Sequence, residues 1–256
     1  MKKMGFTLAE VLITLSIIGV VAAVTIPSLV TANRNQVNAT RLANTVAILE
    51  NAFSIMMVQE GVDSLFDTNA WRVAENDALT GQQLFAGNLG RYLKHNGYRT
   101  GDEVLADFAN NNVSGIGGAP DQMACWRTGN AVCGSAKTSS QFISLKSGAL
   151  VAIHTLASNN ENEVAIRNAG GRLVNEAADI FIDVNGPAEG PNVWGRDNFC
   201  FYLGHDGSLY ACGSRDVDIY AGEAAFPDDL CDVSNNGVQG YVCTNRLVEN
   251  GYKVDY

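Results

Sequence analysis

The chain lacks the patterns that mark the commonest chemistries. No G-x-S-x-G, H-E-x-x-H or P-loop motif occurs, and the three histidines, His95, His154 and His205, stand far apart in unlike contexts, so each reads as a structural residue. Nothing in this pattern looks catalytic. No C-x-x-C pair occurs among the six cysteines, and structural zinc sites usually draw on such close pairs, so Cys125, Cys133, Cys200, Cys212, Cys231 and Cys243 read as disulfide candidates in an oxidising compartment. The chain has no Lys/Arg cluster, which argues against nucleic acid as its main partner. No A-x-A-like site closes the amino-terminal apolar run, so removal of that run as an ordinary secretory signal is not expected.

What the amino terminus does have is a run of 25 residues, 6–30, whose only charged side chain is Glu10. At ~1.5 Å per residue such a helix spans ~37 Å, enough for the ~30 Å hydrocarbon core of a bilayer. An ionised carboxylate in hydrocarbon costs a few kcal/mol on insertion scales, so a lone acid there calls for a partner. The competing reading is a plain membrane anchor whose Glu10 snorkels to the headgroups, four residues inside the apolar edge.

The short basic leader ending in Gly5, then Phe6-Thr7-Leu8-Ala9-Glu10, the long uncharged run and Pro27 together resemble the precursors of type IV pilins and type II secretion pseudopilins. The resemblance covers about the first 30 residues and implies cleavage between Gly5 and Phe6 by a prepilin peptidase, with N-methylation of Phe6. It makes Glu10 the fifth residue of the mature chain, where the new α-amino group of a neighbouring subunit would neutralise it and set axial register. It further implies other pilin or pseudopilin subunits, an inner-membrane assembly platform and its ATPase as partners. The expected location is the bacterial inner membrane, as a single-pass precursor with its head outside the cytoplasm, then a periplasmic pseudopilus or surface pilus. No catalysis by the chain is required. The alternatives are a membrane-anchored binding protein or adhesin that never polymerises and, less favoured, an anchored enzyme.

Loss of the leader removes Lys2 and Lys3, leaving 15 basic against 27 acidic residues, a formal charge of −12. The pattern divides the chain into a leader (1–5), a membrane or assembly half-helix (6–30), an amphipathic half-helix (31–60) and a globular head (61–256). Ala39, Leu42, Val46, Leu49, Phe53 and Met56 recur at steps of three and four, one apolar stripe on a helix that Gly61 can stop. The expectation is a single helix from near Phe6 to near Glu60, ~80 Å long. Pro27 lies inside it and predicts a kink or local melting, with Gly19 a second soft spot; the S-shaped, locally unwound helices of the family's filaments point the same way.

Past the helix, residues 62–140 are rich in Gly, Asn, Asp and Ser, with one helix-like stretch over 81–95 and a Gly/Asn loop over 110–118. Strands are expected at 141–145 and 149–156, joined by 146–148, at 178–184, and in a hairpin over 199–212. A three-residue turn at 205–207 would set Cys200 opposite Cys212 and leave Cys231 with Cys243; sequential pairing is the simplest, with Cys212–Cys231 a competitor. A long helix followed by an antiparallel sheet makes an α+β, pilin-like head, the architecture the resemblance also implies. A head of ~190 residues is large for a major secretion pseudopilin and leans toward a pilin or minor subunit.

Residues 182–197 open with D-x-N-G and set Asp183, Asn185, Glu189, Asn192 and Asp197 among glycines and prolines. Calcium takes six to eight oxygens, and some major pseudopilins hold calcium in a loop near the sheet. Asp and Asn are also the usual turn residues, so a metal-free structured turn competes, and no cofactor is required.

Overall fold

The computed structural model describes residues 7–74, 87–99, 103–104, 141–155, 165–167, 173–190, 192–213, 217–218, 231 and 243–256. Its first element, α1 (Leu8–Glu60), is one helix of 53 residues. Thr7 starts it as the N-cap, and Gly61, at φ 69°, ends it with its N–H on Met57 O and Val58 O. A left-handed residue at this position closes the last turn, and glycine takes that conformation without steric cost.

The helix has two unlike halves. Through residue 30 its side chains stand almost wholly exposed, among them Leu8, Ile17, Val20, Val24 and Leu29. From Asn38 onward one stripe is buried, with Ala39, Leu42, Leu49, Ala52, Phe53 and Met56 fully covered. Burying a Leu, Phe or Met side chain contributes ~1.5–3 kcal/mol, so this stripe holds the head on the helix.

The head is an antiparallel sheet. Strands β1 (His95–Arg99), β2 (Gln141–Leu145), β3 (Leu150–Thr155), β5 (Leu173–Asp183), β6 (Asn198–Gly204) and β7 (Leu209–Ala211) pair in that order. The start of β5 also pairs β4 (Ala165–Arg167), which pairs β8 (Val217–Asp218). Alternation along the strands makes two faces. Ile143, Val151, Ile153, Ile180, Ile182, Phe199, Phe201 and Leu203 join the α1 stripe in the main core. Phe142, Leu150, Ala152, Phe181 and Cys200 point the other way, onto Val104, Trp194 and Cys212. Two short helices, α2 (Asn69–Ala74) and α3 (Cys243–Glu249), complete the described elements.

The β2–β3 hairpin turns at Gly148, φ 94°. The β6–β7 hairpin turns through 205–207, with Gly204 N donating to Ser208 O and Cys212 N to Cys200 O. Disulfides join Cys200 to Cys212 and Cys231 to Cys243; Cys125, Cys133 and the Gly/Asn loop over 110–118 lie outside the described residues.

Two expectations are refined. The helix-like reading of 81–95 holds where it is described over 87–92, helical at 87–89 and closing in a 3-10 turn at Gly90–Tyr92, but it stops short of its expected end, because His95 starts β1. Gly90 permits this crossing, because a Cβ there would strike the Tyr98 hydroxyl. α1 does not melt at Pro27: it is helical throughout. The proline removes one N–H from the ladder, and the turns on either side keep the segment helical. Flanking hydroxyls bond carbonyls on the same stretch, Thr25 Oγ1 to Val21 O, Ser28 Oγ to Thr25 O and Thr31 Oγ1 to Pro27 O.

Candidate functional site

The start of α1 is built from one local device. Thr7 N donates to Glu10 Oε2 at 2.8 Å, Thr7 Oγ1 donates to the same oxygen at 2.7 Å, and Glu10 N donates to Thr7 Oγ1 at 3.3 Å. This is a capping box, in which the third helical residue and the cap satisfy one another's exposed groups. Its T-x-x-E signature stands in the sequence at positions 7–10, but attention to Glu10 as a buried charge passed over Thr7. Gly5 and Phe6 lie outside the described residues. Glu10 is exposed, and among the described residues its carboxylate is met by Thr7.

Above Glu10, α1 is the one helix among the described residues long and apolar enough to cross a membrane. Exposed Leu, Ile and Val side chains surround it rather than forming one stripe. A helix apolar on every side needs lipid or other helices about it.

The loop over residues 183–197 is closed by its own polar groups. Asp183 Oδ1 accepts from Asn185 N at 3.3 Å and Gly186 N at 2.9 Å. Asn185 Nδ2 donates to Glu189 O, and Asn192 Nδ2 to Pro187 O. Asp197, fully buried, accepts from Asn192 N at 2.9 Å, Val193 N at 2.6 Å and Asn198 Nδ2 at 3.0 Å. The Glu189 side chain points to solvent. Among the described residues no three His, Cys, Asp or Glu side chains converge on a metal position. The chemistry visible here is that of side chains replacing missing backbone partners in a turn.

The histidines occupy separate structural settings. His205 Nδ1 lies 3.0 Å from Asn175 N, as acceptor, and its ring stacks on Phe66 with centroids 5.9 Å apart. His95 packs against Tyr98, centroids 4.9 Å apart. His154 lies in β3, with Asp179 as its backbone partner.

Residues 1–26 match a protein-family model, the prokaryotic N-terminal methylation motif. Neither the curated proteins nor the solved structures gave a match. Residues 1–26 are therefore a prepilin-type cleavage and methylation segment of the kind found in type IV pilins and pseudopilins.

Proposed function

We propose that this chain is a structural subunit of a type IV pilus-like or type II secretion pseudopilus filament. It is inserted in the inner membrane, cut between Gly5 and Phe6 by a prepilin peptidase, methylated at Phe6 and assembled through α1 by a membrane platform and its ATPase. One observation carries the reading: a methylation motif over residues 1–26 opens a helix whose exposed apolar half holds a single carboxylate.

Cleavage after Gly5 frees an α-amino group two residues before Leu8. In a bundle of such helices that cation offers a neighbour's Glu10 a charge-assisted hydrogen bond, of the order of twice the strength of a neutral one. Before assembly Thr7 supplies two neutral donors to the same carboxylate. Assembly then adds a charged partner to an acid already aimed by its cap, and a subunit out of register leaves that acid in hydrocarbon without it. The chain itself supplies packing and charge pairing rather than catalysis.

The same capping box favours a second reading, because it satisfies Glu10 within one chain as a solitary anchored binding protein or adhesin would need. Mass spectrometry of the mature amino terminus separates the two. The filament reading expects a methylated Phe6 as first residue; an intact Met1-Lys2-Lys3 leader on the native protein would overturn it.

A further inference from the structure

We propose that the last five residues form a releasable latch between the head and the base of α1, one that opens as a unit while the sheet stays closed. The latch is held at three points. Gln36 on α1 clamps its backbone from both sides, with Nε2 donating to Tyr252 O at 2.9 Å and Oε1 accepting from Val254 N at 3.4 Å. Tyr256 is mostly buried, and its hydroxyl donates to Gly195 O at 2.6 Å. Arg246 of α3 pairs with Asp255 at 2.9 Å and lies over the Tyr256 ring at 5.7 Å. Three separate parts of the fold thus hold five residues.

Two features work against closure. The chain reverses after α3 through Gly251 and Tyr252, both at φ 62°, a conformation that costs a bulky side chain such as tyrosine. The Arg246–Asp255 pair is about half exposed on both sides and holds weakly. A few hydrogen bonds and the partly buried side chains of Tyr252, Val254 and Tyr256 against the main core therefore oppose a strained hinge, the balance expected of a segment that opens below the global unfolding free energy. Gln36 lies six residues past Val30, ~9 Å along the helix, so the latch sits where the exposed apolar half ends.

Hydrogen exchange and carboxypeptidase digestion of the full chain in detergent micelles test this directly. Gln36→Ala should speed release of residues 252–256 at least 10-fold, with exchange in β3, β5 and β6 unchanged. Should Gln36→Ala fail to fold, Tyr256→Phe, which deletes only the bond to Gly195, should also speed release. Sheet exchange rising in step with the tail, or a tail rate unmoved by Gln36→Ala or Tyr256→Phe, would overturn the proposal.

Discussion

Asp197 and Glu10 are both carboxylates satisfied by nearby donors, and their surroundings assign them opposite roles. Asp197 is fully buried and accepts two backbone N–H groups and one amide. Asn in its place retains shape but turns an NH2 toward one of those donors, so Asp197→Asn should cost about 2 kcal/mol in denaturant unfolding, the scale of a lost hydrogen bond to a charged group. With Asp197 engaged in this way and Asp183 Oδ1 held by two backbone N–H groups, the 183–197 loop is expected to give no calorimetric heat and no rise in Tm with millimolar calcium. Heat together with a raised Tm would instead put calcium there. Glu10 is exposed, and Thr7 is the partner of its carboxylate among the described residues. Glu10→Val should leave membrane insertion intact, since it removes a charge from an apolar run, yet reduce filament yield measured by shearing and immunoblot. Normal filaments from that variant would remove the register role.

Two glycines with the same backbone sign separate conformational from packing effects at the level of elements. Gly61 ends α1 at φ 69° with open space where a Cβ would stand. Gly207, at φ 81° in the β6–β7 turn, faces α1, where a Cβ would meet Met57 Cε at 2.8 Å and Phe53 Cβ at 3.3 Å. Gly61→Ala should cost about 1 kcal/mol, the left-handed penalty alone, and Gly207→Ala about 2–4 kcal/mol once crowding is added. Thermal unfolding of both variants checks the gap; equal losses would mean the turn does not bear on the helix. The elements legible in sequence are those with a local period or a turn signal. The stripe from Ala39 to Met56 marked the buried face of α1, and Gly204-His205-Asp206-Gly207 marked the hairpin. β1 was not legible, because Asn96 and Gly97 break its alternation and its pairing to β2 comes from more than 40 residues away. The carboxy-terminal tail was equally hidden, since the residues that hold it, Gln36 and Gly195, are distant in sequence and carry no pattern of their own.

At the scale of the whole molecule, three tyrosines, one in β7 and two in the tail, hold their protons more tightly in the fold than in the open chain. Burial pushes the Tyr256 phenol well above the usual tyrosine range, and burial with the Asp206 carboxylate beside it pushes Tyr210 up to about 12. Tyr252 shifts the same way, through burial and then the Glu50 carboxylate. All three are raised in the fold above an unfolded value of about 10, so the unfolded chain gives up these protons first. Their contribution is complete below pH ~10 and fades as pH climbs through 12, where Tyr210 loses the proton it donates to Asp206. The loosest piece should go first: as pH rises past 10, the carboxy-terminal tail becomes sensitive to carboxypeptidase before the far-ultraviolet signal of α1 and the sheet declines. Absorbance at 295 nm, followed with circular dichroism on one sample, reads both events. Tyr256→Phe should shrink the early, tail-specific phase to the share that Tyr252 contributes while the later loss remains, because Tyr210 titrates in that variant as before. A single transition, with phenolate formation, tail cleavage and loss of helix coinciding in both proteins, would show that the tail and the head unfold as one body.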